Sequence, residues 1–280
     1  MLHLETFDPH EPFYVPQKYL DMYCLDRDEK LFDWPRGQVQ EDEDAIRQVR
    51  TRYQALVTMC DESLGRILDM MDEYNMWDDT MLIVGTDHGF LLGEHKYWAK
   101  NLMPYYDEIA HPPLFIWDPR YGVRGESRDS IVQLIDWAPT LLDYFNQQIP
   151  KDVQGKKLDD VIKDDKANRD YALFGVFSGH ANITDSRYVY MRAPEEDKKD
   201  EVYNYTLMPV HMMERFKPEE LRNMTLHSPF SFTKGCPVLK IKSKDRYNVA
   251  RFGSLLFDLE KDPKQEKNII DEKLENKMKK

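Results

Sequence analysis

The feature that most constrains this chain is the stretch Met81-Leu82-Ile83-Val84-Gly85-Thr86-Asp87-His88-Gly89, where an unbroken apolar run ends in a carboxylate and an imidazole. A run without alternation is what a strand buried on both faces requires, and such strands belong to α/β sheets. Open α/β sheets place their sites at the carboxyl ends of strands, which is where Asp87 and His88 fall. Gly85, Gly89 and Gly93 let the backbone turn sharply or approach an ion closely. The same loop continues through Glu94, His95 and Lys100. One hard oxygen and one imidazole nitrogen suit a cation, and the lysine suits an anionic substrate. The residues also allow a plainer reading, in which Asp87 caps the next turn and His88 is a packed polar side chain.

Upstream, residues 2–7 read as a strand running into Asp8-Pro9-His10-Glu11-Pro12-Phe13, whose prolines stiffen the backbone around His10. A buried strand beginning directly after Met1 has no preceding neighbour, so the chain reads as starting partway through a domain. Residues 14–40 lack any period and read as a surface excursion framing a cleft. Glu41-Asp42-Glu43-Asp44 then opens a helix, with acidic residues at its positive end. Ile46, Val49, Tyr53, Leu56, Val57, Cys60, Leu64, Ile67, Leu68 and Met71 follow at helical spacing. Asp61 and Arg66 on that helix read as a solvated or packing pair. The helix leads into the strand at 80–86, which predicts a strand-helix-strand crossover. A second short apolar strand occupies 112–117, and His111 before it is a further candidate for substrate contact. Residues 130–142 read as a strand followed by a helix with a proline in its first turn.

Composition shifts after residue 150, from a mixed α/β pattern to short β-type runs at 171–177, 187–191 and 254–259 separated by charged inserts. This predicts an α/β part at 1–150 and a smaller C-terminal unit with an antiparallel sheet and a tail at 151–280. A formal charge of −12 excludes a broad nucleic-acid-binding surface, yet it leaves room for an anionic substrate in a locally cationic cleft. The three cysteines are too scattered for a disulfide framework or a zinc site, so the default is a reduced, cytoplasmic setting. A periplasmic or secreted setting follows instead if more chain precedes Met1. No apolar run reaches the roughly 18 residues of a membrane span, and no signal peptide follows Met1. N-x-T sequons at Asn182, Asn204 and Asn223 read as chance matches.

Thr86-Asp87-His88-Gly89-x-x-x-Gly93-Glu94-His95-x-x-Trp98-x-Lys100 resembles the metal and sulfate motif of the type I sulfatases, in the alkaline-phosphatase-like superfamily. Asp8-Pro9-His10-x-Pro12-Phe13, the strand at 112–117, the Ala138-Pro139-Thr140-Leu141-Leu142 segment and the ending Leu256-Phe257-Asp258-Leu259-x-x-Asp262-Pro263 with Asn268 resemble further segments of that family. The resemblance implies an alkaline-phosphatase-like mixed α/β sheet flanked by helices, incomplete here, with a smaller C-terminal antiparallel α+β subdomain. It implies hydrolysis of a sulfate ester, with sulfated glycans as the preferred substrate class, and Asp87 and His88 as two of the ligands of a calcium ion. It further implies Lys100 on a sulfate oxygen and His10 near the sulfate or the leaving oxygen, with His111 helping to shape the substrate pocket. The ending implies an intact C-terminus, and the start implies a missing N-terminal half or a homo-oligomer as partner. Two other readings stay open: a phosphodiesterase or phosphonate hydrolase of the same superfamily, and a non-catalytic split or degenerate half.

The family's chemistry depends on formylglycine, made from a cysteine or serine in a C-x-P-S-x-R-like string. No such string is present: Cys24 precedes Leu25-Asp26-Arg27, Cys60 precedes Asp61-Glu62-Ser63, and Cys236 precedes Pro237-Val238-Leu239. A strand ending in paired aspartates, which would complete the metal site, is also missing, because Asp78-Asp79 precedes its strand. Without a nucleophile the covalent route is closed, however well the other groups are placed. The isolated chain, assayed with an aryl sulfate and calcium, is therefore expected to show little or no turnover. Turnover at the level of an ordinary enzyme would overturn this reading.

Overall fold

A computed structural model describes residues 1–24, 32–195, 201–208, 210–211, 214–243, 249–269 and 271–279. The chain forms two compact units, one of residues 1–103 and 111–124, the other of residues 104–110 and 125–280.

The first unit is built on one long helix. In chain order it holds α1 (Gln17–Leu20), β1 (Gly37–Gln38), α2 (Glu43–Glu73), β2 (Leu82–Gly85), β3 (Leu91–Leu92), β4 (Tyr97–Ala99) and β5 (Leu114–Trp117). Helix α2 starts where the acidic run predicts, because the Asp42 carboxylate accepts from the Ala45 N–H at 2.9 Å and caps the first turn. Its stripe buries Val49, Ala55 and Leu56 against Phe13, Val15, Tyr19, Leu20 and Trp98. Phe13 meets Tyr53 and Phe90 edge-on, each at 5.3 Å between ring centroids. Phe13 is fully buried, and a ring of that size removes a large apolar area from water. Trp98 is fully buried, and its indole N–H donates to Glu41 Oε2 at 2.8 Å. This joins β4 to the residue just ahead of α2.

Several expectations for this unit are corrected. Residues 2–7 form no strand, and Leu2, Leu4 and Phe7 are 80%, 58% and 65% exposed. A strand needs a neighbour to take its backbone hydrogen bonds, and among the described residues none runs beside this segment. Among the described residues the crossover is therefore absent. Strand β2 pairs instead with β5, antiparallel, with Ile83 opposite Ile116, and its side chains are only half-buried. Nor is 14–40 wholly a surface excursion, since Val15, Tyr19 and Leu20 lie in the core; residues 25–31 fall outside the described segments. Finally, Arg66 pairs with Glu62 at 2.7 Å rather than with Asp61, because four residues, not five, bring side chains onto one helix face.

The second unit contains α3 (Asp107–Ala110), α4 (Trp137–Tyr144), α5 (Asp159–Asp164), β6 (Ala172–Phe174), β7 (Ala181–Thr184), β8 (Tyr188–Arg192), β9 (Tyr203–Thr206), α6 (Pro218–Leu221), β10 (Thr225–His227), β11 (Val238–Lys242), β12 (Leu255–Asp258) and α7 (Glu272–Met278). The runs at 171–177, 187–191 and 254–259 all enter one antiparallel sheet of order β12-β8-β7-β6. Alternation splits β8 between two cores: Val189 and Met191 pack with Phe257, while Tyr190 packs with Leu256 and Met278. The family-like ending is a clasp on this sheet. Asn268 accepts from the Leu256 N–H at 2.8 Å, Asp258 takes Arg187 at 3.2 Å, and Asp262 accepts from the Glu266 and Lys267 amides. Residues 130–133 are not a strand; a 3-10 turn at Leu134–Asp136 leads into α4. Asp136 there is fully buried and accepts from the Gln133 and Lys156 amides, each at 2.8 Å, and from Arg169. Gly155 passes so close to this turn that an added Cβ would lie 1.9 Å from the Ile135 carbonyl oxygen, which only glycine permits. The sequon residue Asn182 is buried, its amide nitrogen donating to the Phe174 carbonyl.

His180 supplies a pH-sensitive point in this unit. Burial pushes its imidazole below the ordinary histidine value, against the opposing effect of its Nε2–H bond to the Gly253 carbonyl at 2.9 Å. As pH falls, the unfolded chain takes up this proton before the folded one. The stability is therefore present above about pH 6.5 and is lost on acidification below it. His180→Gln keeps a donor without a titrating ring. Its Tm is expected to fall less between about pH 7 and about pH 5 than that of the unsubstituted protein, and equal slopes would refute the assignment.

Candidate active site

The segment from His10 to Phe13 and the loop from Asp87 to Lys100 both belong to the first unit. His10 closes a turn in which its N–H donates to the Phe7 carbonyl at 3.0 Å and its ring lies 4.5 Å from the Phe7 ring. The flanking Asp8–Pro9 and Glu11–Pro12 bonds are both cis. Lys100 follows a distorted hairpin. Gly93 has φ +102, and His95, Lys96 and Ala99 hold left-handed φ values of 52, 62 and 75. Non-glycine residues occupy that region only when their surroundings hold them there. Here the hold is visible: Arg50 on α2 donates to the Leu92 carbonyl at 2.8 Å, and the Glu94 carboxylate accepts from the Leu92 amide. The outcome is that Lys100, next to Ala99, turns into the unit and is buried.

There Lys100 Nζ lies 2.9 Å from His10 Nε2 and 3.2 Å from Glu11 Oε2, and it stands 5.7 Å above the Phe90 ring. An ammonium only donates, so His10 Nε2 accepts with its lone pair. The ring proton then sits on Nδ1, which lies 2.5 Å from the Glu11 carbonyl oxygen and 3.4 Å from Glu11 Oε2. Glu11 thus serves both partners, one through its backbone and the other through its side chain. Sequence reasoning missed Glu11. The only signal was a carboxylate between two prolines next to the chosen histidine.

Asp87 and His88 are arranged differently. The Asp87 side chain is 79% exposed; its Oδ1 accepts from the His88 amide at 3.0 Å and from the Thr86 hydroxyl at 3.3 Å. This is the turn-capping role allowed at the outset. The His88 ring bonds the Gly89 carbonyl through Nδ1 at 3.0 Å, so Nδ1 carries the proton and Nε2, 3.5 Å from Asp87 Oδ2, is the nitrogen with a lone pair to offer. The two pairs are linked through Phe90, which follows Gly89 and packs on Phe13 beneath Lys100. His111 is exposed ahead of β5. Calcium takes six to eight oxygens, whereas among the described residues no group of three or more His, Cys, Asp or Glu side chains gathers. Asp87 and His88 alone do not fit that ion, and none of the cysteines stands in a formylglycine string.

A family model described as Sulfatase matches residues 1–147, and one described as N-sulphoglucosamine sulphohydrolase, C-terminal, matches residues 93–229. The chain belongs to the sulfatase family. It is 31% identical over 202 residues to an arylsulfatase of Clostridium perfringens, covering 63% of this chain and 41% of that protein. It is 34% identical over 113 residues to an N-acetylglucosamine-6-O-sulfatase of Bacteroides thetaiotaomicron, covering 40% of this chain and 20% of that one. A solved structure described as a complex with its substrate D-glucosamine-2-N,6-O-disulfate superposes with a TM-score of 0.57 at 20% identity, covering 84% of this chain and 40% of that one. The fold of this sulfatase chain is thus alkaline-phosphatase-like, and the chain spans less than half the length of the curated relatives it matches. Sulfatases of this family work with calcium and formylglycine.

Breaking the buried Lys100–Glu11 pair leaves an ammonium with one partner fewer. Glu11→Ala is expected to cost about 3 kcal/mol in urea unfolding, whereas Asp87→Ala, at an exposed carboxylate, should stay within about 0.5 kcal/mol. Equal midpoints for the two variants would show that Glu11 does not hold the site.

Proposed function

We propose that this chain supplies the sulfate-recognition part of a sulfuric ester hydrolase acting on sulfated glycans, with His10 and Lys100 meeting the sulfate. The observation that carries the reading is the 2.9 Å contact between Lys100 Nζ and His10 Nε2, two residues 90 positions apart that lie together beside a buried carboxylate. An ammonium and an imidazole side by side suit an oxyanion that needs a donor on its charged oxygens and a proton at its leaving oxygen. A sulfate oxygen entering between them takes over the Lys100 donor. His10, once protonated at Nε2, donates to the ester oxygen, and Glu11 beside Nδ1 stabilises the imidazolium. An incoming oxygen nucleophile, which this chain does not supply, would form the new bond to sulfur as the ester S–O bond breaks, and the departing alcohol leaves with the His10 proton. Asp87 and His88 are this chain's contribution to a cation site, and His111 lines the approach for the rest of the substrate. In this reading residues 1–150 carry the sulfate-binding part and residues 151–280 a separate C-terminal subdomain. The glycan preference is supported by the similarity to an N-acetylglucosamine-6-O-sulfatase.

The reading is tested by titrating inorganic sulfate into the chain and following the His10 ring by NMR. A saturable shift is expected, weakened about tenfold or more in Lys100→Met, since a charge-assisted bond is lost. No shift, or the same affinity in the variant, would refute it.

A further inference from the structure

The three-stranded sheet of order β10-β11-β9 has no place in the reading so far. Its register puts Thr225, Lys240 and Tyr205 in one row across the strands, and side chains in a row share a face. Tyr203 and His227 lie two residues along their strands from members of that row, and so on the same face. Beyond β10, Phe230 stacks on His227 at 5.1 Å and 28°, and Phe232 stacks on Phe230 at 5.4 Å and only 10°. Tyr205 meets both His227 and Phe230 edge-on, at 5.1 Å and 5.3 Å. This is a continuous aromatic platform, yet it is not a core: Tyr205 is 42% and Phe232 56% exposed. Lys240 holds its ammonium 4.0 Å from the Tyr203 ring, beside the platform.

The strands themselves are cationic, while α6, which packs against β11, brings Glu219 and Glu220, the latter engaged with His211 and the Lys217 amide. The formal net charge is −12, but residues 221–243 carry Arg222, Lys234, Lys240 and Lys242 with no aspartate or glutamate, and strand β9 has none either. Flat apolar rings with cations at their edge select a ligand that is apolar on its faces and anionic at its rim. A pyranose bearing sulfate has that form, because its axial C–H groups present an apolar face and its sulfate projects from the edge. We infer that the Tyr205–His227–Phe230–Phe232 platform with Lys240 is a binding site for a sulfated saccharide chain, built entirely from residues of the second unit. The inference rests on the glycan reading above for its ligand class, but not on the His10–Lys100 chemistry.

The test uses the whole chain and calorimetric titration with a sulfated oligosaccharide and its desulfated counterpart. Phe232→Ala and Lys240→Gln should each weaken binding of the sulfated form about tenfold. Run in a His10→Ala/Lys100→Met background, which removes the proposed sulfate contact of the first unit, the titration reports the platform alone and should still show binding that Phe232→Ala weakens, and the desulfated form should bind more weakly. Circular dichroism separates loss of binding from loss of fold; should Lys240→Gln fail to fold, exposed Phe232→Ala still decides the matter. Absence of binding, binding indifferent to both platform variants, or loss only in the double variant would overturn the inference. So would equal binding of polyglutamate, which shares the charge but not the rings, or binding confined to anionic phosphatidylglycerol vesicles. Intact platform binding combined with no sulfate response at His10 would refute the active-site reading alone.

Discussion

Lys100 is a buried ammonium, and the first unit is arranged so that this charge has partners. Taking such a charge out of water costs several kcal/mol unless hydrogen bonds and an opposite charge compensate. The compensation comes from a segment 90 residues away, where consecutive residues provide the Glu11 carboxylate and the His10 ring nitrogen. The requirement explains the surroundings. Ala99 takes up a left-handed conformation, and Arg50 and Glu94 brace the preceding hairpin, because the lysine must be turned inward and kept there.

Helix α2 connects this site to the core. Its buried face carries Phe13 and Trp98, so the helix supports the residue after Pro12 and the strand before Lys100 together. Phe90 closes the arrangement, packed edge-on against Phe13 and beneath the ammonium. Rigid aromatic neighbours of this kind hold the Lys100–His10 pair in one geometry, which loops on their own do not achieve. Asp87 and His88 precede Phe90 in the chain; the Asp87 carboxylate is exposed and caps its own turn, and the His88 ring bonds the Gly89 carbonyl.

Much of this was legible. The Asp42 cap and the stripe on α2 could be read because they depend on neighbours within one turn. The antiparallel strands at 172–174, 188–192 and 255–258 could be read because alternation and β-branched or aromatic residues are local signals. The strand expected at 2–7 failed for the opposite reason. Its residues have the right pattern, but pairing depends on a neighbour that no local pattern announces. The β9-β10-β11 sheet was hidden because its strands are short and their aromatics, His227, Phe230 and Phe232, are interrupted by serine and proline.

The sequence by itself determined which residues were worth asking about: His10, Asp87, His88 and Lys100 stand in strings too specific to be overlooked, and membership of the sulfatase family follows from the same strings. The tertiary structure decided which of them act on one another. It set Lys100 on His10, recruited Glu11, and left Asp87 capping its own turn, because burial and pairing are properties of distances through space. Spacing along a chain specifies a distance only within a turn or a hairpin. Beyond that, the packing of Phe13, Phe90 and Trp98 against one helix fixes where the charges meet.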